Sequence, residues 1–252
     1  MSQELQSVKN ALIILKCFST EKSKLRVTEI STLTKLSKST VSRTLATLAS
    51  EGFVRKSSDG QAYVLGLAIL SLAGITLSSM RIQQELAPAL SQLVVRTNES
   101  GHIAILDGME IVYIQKDESS IHTKMKTHLG RRNPAHATSS GKLLLAYQEP
   151  SFWDKIIENK LTAYTADTIT NPFKLKEELA QIRSSGVAYS KNELTENVSS
   201  IAVPVRDYTG TVVASISLVG ATTRFTTKKI NELIPLLKQA AMDSSKNLGY
   251  WK

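Results

Sequence analysis

The residues with the clearest chemical potential form a run of hydroxyl and cationic side chains between Ser37 and Gly52. Apolar residues recur there at helical spacing, which predicts one buried helix face. The opposite face is polar and consists of Lys38, Ser39, Thr40, Ser42, Arg43 and Thr47. Ser37 or Ser39 can cap the start of this helix, and Gly52 can end it. Because the unpaired N–H groups at a helix start attract phosphate, the pattern favours insertion into a DNA groove.

The flanking segments predict the rest of a DNA-binding unit. Upstream, residues 28–34 form a predicted short helix with Thr28 as its cap. The turn that follows has the length used in helix-turn-helix units. Downstream, residues 53–56 and 62–65 form two predicted strands around an Asp-Gly turn. A basic hairpin in this position is typical of the wing beside a recognition helix.

Positive charge is concentrated in the same quarter of the chain. The sequence has 252 residues and a net charge of +9, and residues 1–66 carry ten Lys and Arg against five Asp and Glu. This excess favours a polyanionic partner. Arg26, Ser37 and Lys56 therefore join the polar helix face as candidate DNA-binding residues. The alternative is an ordinary solvated helix. Such helices usually carry acidic residues, whereas residues 37–50 contain none.

Composition excludes several other classes of protein. A single cysteine, Cys17, excludes a disulfide framework and a cysteine-rich zinc site, and we expect it to be a buried, inert thiol. The N-terminus has no apolar run typical of a signal peptide, so we expect a cytoplasmic protein. Residues 62–80 are uncharged and near membrane-spanning length, but they begin as a wing strand. We therefore expect a buried helix there, between subunits, rather than a membrane span.

The remaining hydrophobic pattern predicts an α+β chain in which an antiparallel sheet carries flanking helices. The predicted helices cover residues 7–18, 67–80, 83–97, 138–147, 151–159, 172–185 and 226–248. The predicted strands cover residues 25–27, 102–107, 110–115, 121–125, 187–190, 200–205 and 211–219. The first helix is expected to bury Val8, Leu12, Leu15 and Phe18, and residues 130–136 are predicted to form a loop. The implied domains are residues 1–66 for DNA binding, 67–81 as a linker helix and 82–252 as a sensor.

Four segments, in order behind the predicted winged helix, carry a resemblance to a known family. They are Ile105–Gly108 with Val112–Ile114, Gly130–Pro134, His136–Lys142 and Ile201–Val205. The chain resembles IclR-type transcription regulators, in which a winged helix-turn-helix precedes an effector-binding domain related to GAF sensors. The resemblance implies a dimer or tetramer that binds a palindromic operator and senses a small organic acid. Most relatives repress catabolic operons, and some activate transcription instead.

The best candidate for a ligand site in the second half is the predicted helix start at 138–142. Thr138, Ser139 and Ser140 add hydroxyl donors to the unpaired N–H groups, which suits a small carboxylate or phosphate. Simple capping by Thr138 is the alternative. A nucleotide P-loop is excluded because the residue after Lys142 is leucine and the required upstream glycine is missing.

The resemblance also implies which residues line the effector pocket. They are Met125, Asn133, Ser139, Ser140, Ser190, Val198, Ser200 and Ser217, with His122 and Val219 as weaker candidates. The chain departs from many relatives after Ser190, where an acidic run is replaced by Lys191-Asn192-Glu193, and at Ser199-Ser200, where relatives have Arg-Cys. So many hydroxyls favour a hydroxylated acid over an aromatic one. The alternative is that these serines only satisfy backbone groups of the sheet.

Enzyme chemistry is not indicated by the sequence. The four histidines lack the His-Glu-x-x-His spacing of zinc enzymes, and Ser140-Gly141 lacks the frame of a hydrolase elbow. We therefore expect no catalytic residue, no cofactor and no metal, although His122 could meet His128 or His136 in space. A non-specific DNA-packaging protein is the third possibility, but such a protein needs no polar pocket.

Part of two leucine stripes is expected to form a subunit interface. One stripe is Leu67, Leu70 and Leu77, and the other is Leu86, Leu90 and Leu93.

Overall fold

The computed structural model describes residues 5–120, 127–149, 151–153 and 160–251. The chain divides into two units, residues 1–79 and residues 80–252, each with its own hydrophobic core. The predicted strand 121–125 and most of the predicted helix 151–159 lie outside the described residues.

The first unit consists of three helices, a hairpin and a final helix. Its elements are α1 (Gln6–Leu15), α2 (Val27–Thr34), α3 (Lys38–Ser50), β1 (Val54–Lys56), β2 (Tyr63–Leu65) and α4 (Leu67–Ser79). β1 and β2 pair antiparallel, with Val54 opposite Leu65. Gly60 has a φ of +69° in the connecting turn, and Leu25 forms a single bridge to Tyr63. The predicted helix-turn-helix and wing are thus confirmed.

Three details of this unit differ from the sequence prediction. The strand predicted at residues 25–27 is only the Leu25 bridge, because α2 begins at Val27. In α1, Val8 and Leu12 are exposed, and Ile14 is the fully buried residue. Helix α2 begins one residue earlier than predicted, because the Arg26 N–H donates to the Glu29 carboxylate at 2.7 Å, whereas Thr28 was expected to be the cap. An acidic side chain at this position of a helix start satisfies an otherwise unpaired N–H group.

Cys17 lies just after α1 and is half-buried against the core of this unit. Burial raises the pKa of its thiol, which disfavours the reactive thiolate. The side chain is less buried than predicted, and its inert character stays a prediction.

The second unit is a six-stranded antiparallel sheet with helices on both faces. Its helices are α5 (Arg81–Thr97), α6 (Ser139–Ala146), α7 (Pro172–Ser185) and α8 (Thr227–Asn247). Its strands are β3 (Ser100–Asp107), β4 (Glu110–Asp117), β5 (Arg132–Pro134), β6 (Ala188–Lys191), β7 (Val198–Arg206) and β8 (Val212–Ala221). The strand order is β5-β4-β3-β8-β7-β6, and every pairing is antiparallel.

Two apolar cores lie on opposite faces of this sheet. One packs α5 and α8 against the face that carries Ile103, Ile201 and Ile216. The other packs α6 and α7 against the face that carries Ala104 and Ala202. Side chains alternate between the faces because successive strand residues point in opposite directions.

One prediction for this unit is wrong. Residues 130–136 include β5 and a 3-10 turn at Ala135–Ala137, because Ile111 and Val112 of β4 pair with Asn133 and Arg132. The stripe Leu86, Leu90, Leu93 of α5 is buried in the unit's own core, which leaves the α4 stripe as the part predicted to form a subunit interface.

Helix α6 is buried on every side, including the side that carries its polar residues. All eight of its residues are buried, including the polar ones at its start. A Cβ atom on Gly141 would lie 2.2 Å from the Ala135 carbonyl oxygen, so only glycine allows the 3-10 turn to approach the helix. This contact fixes the position of the helix start against the sheet.

Candidate functional site

The first candidate site is the start of α3. The Ser37 hydroxyl accepts a hydrogen bond from the Thr40 N–H at 3.1 Å, as predicted for the capping residue. The same oxygen lies 2.9 Å from the hydroxyls of Ser39 and Thr40. A cluster of hydroxyl groups therefore surrounds the positive end of the helix dipole. Val41, Leu45 and Leu48 anchor the opposite face in the core.

The polar face of α3 is available to a partner. Its predicted DNA-binding residues are exposed except Thr40, which is half-buried; the exposed ones are Lys38, Ser39, Ser42, Arg43 and Thr47. Among the described residues, no carboxylate lies within ion-pairing distance of Lys38 or Arg43. Cations without a carboxylate partner beside a cluster of hydroxyl groups suit phosphate and base edges.

Further cations lie on the wing and beside it. Arg26 is exposed, and its guanidinium donates to the Gln61 side chain at 3.3 Å, which places it against the hairpin. Lys56 is exposed on β1, as is Arg55, which the sequence analysis missed. The short strand offers too few residues for alternation to identify both as surface residues.

The second candidate site is the face of the sheet below the start of α6. The Ser139 hydroxyl donates to the Ser200 hydroxyl at 2.7 Å. Ser190 is paired with Ser200 across β6 and β7, and its hydroxyl donates to the Ala137 carbonyl at 3.4 Å. Thr138 accepts from the Gly141 N–H at 3.1 Å and so caps the helix. The structure therefore brings three of the predicted pocket serines together at one helix start.

A second polar group continues across β3, β4 and β5 on the same face. The Asn133 amide donates to the Tyr113 hydroxyl at 3.3 Å, and the Tyr113 ring lies 4.5 Å from the His102 ring. His102 Nε2 is 3.0 Å from the Thr127 hydroxyl, and the Ser217 hydroxyl donates to the His102 carbonyl at 3.4 Å. Asn133 and Ser217 were predicted to lie here.

His102 and Tyr113 were missed, although the alternation of β3 and β4 places them on this face. Burial lowers the pKa of His102 to about 3, and Lys116 adds to this effect. The imidazole is therefore neutral at physiological pH. Burial also raises the pKa of Tyr113, so its hydroxyl stays protonated. Both rings supply uncharged hydrogen-bonding groups.

Lys142 is the charged residue of α6, and its side chain is only 1% exposed. Its ammonium contacts Glu178 at 2.5 Å and Glu193 at 2.6 Å. A buried ammonium is tolerated when carboxylates pair with it. The cation is thus engaged by two carboxylates, and the pocket side chains named above are neutral.

For the other predicted pocket residues, the structure gives their burial and their place in the fold. Ser140 is 2% exposed in the first turn of α6, and Val198 is half-buried where β7 begins. Val219 is buried opposite Ser200. Met125 and His122 lie outside the described residues.

Two features are absent from the described ranges. Across residues 5–120, 127–149, 151–153 and 160–251, no group of three or more His, Cys, Asp or Glu is arranged to hold a metal ion. Within those ranges, no helix has the length and apolar character needed to cross a membrane.

Comparison with known proteins gives matches over both units. The IclR helix-turn-helix domain matches residues 7–58, and the C-terminal domain of the bacterial transcriptional regulator IclR matches residues 74–246. The chain is similar to the HTH-type transcriptional regulator XynR of Escherichia coli, with 34% identity over 98% of each protein.

Solved structures give the same relationship. The structure of Thermotoga maritima IclR is similar with a TM-score of 0.78 and 31% identity, covering 98% of this chain and 100% of that one. An IclR homologue from Microbacterium hydrocarbonoxydans in complex with 4-hydroxybenzoate has a TM-score of 0.84 and 24% identity, covering 96% and 98% of the two chains. The second likeness shows the fold alone.

Proposed function

The chain belongs to the IclR family of transcriptional regulators, and from this premise we propose how it reads DNA and what controls it. It is a DNA-binding regulator with a C-terminal effector-binding domain. We propose that it represses a catabolic operon until a small organic acid binds in the second unit. The observation that carries the proposal is the exposed, cationic start of α3, capped by Ser37 and free of carboxylates.

In the DNA complex, α3 enters the major groove and its first turns contact base edges and phosphates. The contacts come from Arg26, Ser37, Lys38, Ser39, Thr40, Ser42, Arg43, Thr47 and Lys56. The support for this assignment is the exposure of all these residues except the half-buried Thr40, with Val41 and Leu45 fixing the helix from behind. Arg55 is a further exposed cation of the wing.

The effector binds at the start of α6 and against the sheet. Its contacts are Met125, Asn133, Ser139, Ser140, Ser190, Val198, Ser200 and Ser217. The Ser139–Ser200 hydrogen bond supports this placement, since a ligand there reaches hydroxyls of both the helix and the sheet. A carboxylate is held by the helix N–H groups and neutral hydroxyls, which needs no free cation. The 4-hydroxybenzoate complex of the related fold gives an example of a carboxylate ligand in such a protein.

The abundance of hydroxyl groups favours a hydroxylated monocarboxylate as the effector. Each buried serine or asparagine that loses a partner costs free energy, so a ligand with several hydroxyls satisfies the site better than a purely apolar one. His102 and Tyr113 add two more uncharged hydrogen-bonding groups at the other side of the polar surface.

The active form is a dimer or a dimer of dimers on a palindromic operator. Helix α4 carries four large apolar side chains that are more than half exposed in the single chain, namely Leu67, Leu70, Leu72 and Ile75. Such a surface is typical of a subunit interface. A two-fold dimer matches a two-fold operator. We also propose functional boundaries at residues 1–66, 67–81 and 82–252, with α4 as the linker.

Two measurements with the full chain test this function. Selection from random-sequence DNA, followed by fluorescence anisotropy over a salt series, should yield a palindrome bound at least about a thousandfold more tightly than random DNA. Calorimetry against pyruvate, D-glycerate, D-gluconate and 4-hydroxybenzoate should detect one bound acid that weakens operator binding. A chain that binds all sequences equally, or a palindrome whose binding no acid changes, would contradict the proposal.

A further inference from the structure

The cluster of Lys142, Glu178 and Glu193 contains one cation and two carboxylates. The exposed fractions of the three side chains are 1%, 29% and 8%, so Glu178 is the one that solvent reaches. With both carboxylates ionised, the cluster carries a net charge of −1 inside the protein. An unbalanced buried charge is costly because little water screens it.

The Glu193 carboxylate is only half satisfied. Its Oε1 accepts from the Lys142 ammonium, whereas its buried Oε2 has no hydrogen-bond partner among the described residues. The Ser190 hydroxyl donates to the Ala137 carbonyl at 3.4 Å, and it also lies close enough to the Glu193 carboxylate to oppose part of the rise in its pKa. Burial raises the pKa of Glu193 in spite of the nearby ammonium. Glu193 is therefore the member of the cluster that a proton would neutralise.

In the part of the chain that the structure describes, the surrounding elements place no second cation against Glu193. Helix α6 contributes Lys142, and α7 contributes Glu178, which is another negative charge. Lys191 is exposed and follows Ser190 on β6, so it points to the other face of the sheet. His136 has a pKa lowered by burial and is neutral at physiological pH. In the segment before α7, the Thr168 hydroxyl donates a hydrogen bond to the Glu193 backbone carbonyl.

The cluster of Lys142, Glu178 and Glu193 lies close to the proposed effector site at the start of α6. Ser139 and Lys142 are three residues apart on α6, which is about 4.5 Å along the helix axis. Ser190, which borders the Glu193 carboxylate, is paired with Ser200, the acceptor from Ser139. An anion at the start of α6 would thus add a second net negative charge near a buried one.

We propose that Glu193 takes up one proton from solvent when an anionic effector binds at the start of α6. This inference rests on the proposed effector site. The proton converts the Glu193 carboxylate to a carboxylic acid and leaves the Lys142–Glu178 pair neutral overall. Effector affinity then rises as the pH falls, by up to tenfold per pH unit between the pKa of Glu193 in the free protein and its higher pKa in the complex.

Calorimetry of the full chain tests this inference, with sodium D-gluconate and sodium pyruvate as probes. Titrations at pH 6, 7 and 8, each in two buffers of different ionisation enthalpy, give the number of protons taken up. Both probes stay ionised throughout this range because ordinary carboxyl pKa values lie well below it. The wild type should take up close to one proton at the pH values where its affinity changes. Glu178→Gln should take up less, because it removes the excess negative charge of the cluster and a charge that raises the pKa of Glu193.

Glu193→Gln should bind the probe with no proton uptake and with an affinity that does not depend on pH. Thermal melting tests whether this variant is folded. If the variant is unfolded, the number of protons that the wild type takes up decides whether the inference holds. A wild type that binds a probe without taking up protons would overturn the inference and leave the effector site intact. Equal uptake by the wild type and Glu193→Gln would overturn it too. A wild type that binds neither probe would overturn both the inference and the hydroxy-acid effector class on which it rests.

Discussion

The Ser139 hydroxyl donates to the Ser200 hydroxyl across 2.7 Å and thereby joins the start of α6 to strand β7 of the sheet. Both residues were predicted to line one pocket, although they are 61 positions apart in the sequence. Any ligand seated at this helix start must share or replace that hydrogen bond. A change in ligand occupancy therefore alters the connection between helix and sheet.

Replacing Ser140 by leucine should abolish the effector response and leave operator binding unchanged. Ser140 is 2% exposed, so the larger side chain fills the first turn of α6 and costs about 1–3 kcal/mol of stability through overpacking. The measurement is operator affinity by anisotropy with and without D-gluconate. Ser200→Ala is a milder companion that loses the bond to Ser139 and should weaken the response in part. A Ser140→Leu protein that responds like wild type would refute the pocket assignment.

Replacing Arg43 by alanine should weaken operator binding by about 1–3 kcal/mol if the guanidinium reads a guanine. The side chain is exposed on α3, so the fold should be unaffected. Lys16→Ala is the matched control, since it removes an exposed cation of the same unit outside α3. Anisotropy with the selected operator measures both variants. Equal affinities for Arg43→Ala and wild type would mean that α3 is not the recognition helix.

Replacing Leu70 by glutamate should convert the proposed dimer into monomers at micromolar concentration. Leu70 is 68% exposed in the single chain, so the charge disrupts an interface without disturbing a core. Val95→Glu on α5 is the control, because that apolar residue is 82% exposed and lies outside α4. Sedimentation velocity reports the assembly state. A wild type that sediments as a monomer would remove the basis for an interface on α4.

Replacing His102 by asparagine should make the protein less sensitive to acid. The folded pKa of about 3 lies below the ordinary value of 6.5, so the unfolded chain takes up the proton first as pH falls. Because of this difference, the free energy of unfolding of the wild type should fall by about 1.4 kcal/mol for each unit that the pH drops between 6.5 and 3. Urea unfolding at a series of pH values should show a shallower loss for His102→Asn. The exposed His128→Asn variant is the control and should keep the wild-type slope.

The local structure of the first unit could be predicted from the sequence because short-range patterns determine it. The apolar spacing of Val41, Leu45 and Leu48 identified the buried face of α3, and Ser37 proved to be its cap. The Asp59-Gly60 turn identified the wing, since glycine there adopts a positive φ. Where the prediction was wrong, as at Arg26, a side chain three positions away satisfied the helix start.

The sequence alone determined the family, most of the order of elements and the polar character of the helix start at residues 138–142. Only the tertiary structure decided which polar residues meet. Periodicity assigns a face to each strand but does not pair strands that lie far apart in the chain, so β5 and the neighbours of His102 were missed. The contact of Lys142 with Glu178 and Glu193 follows from the packing of α6, α7 and the chain after β6. Such long-range contacts are decided by the packing of the whole unit, because no local pattern records the distance between two helices.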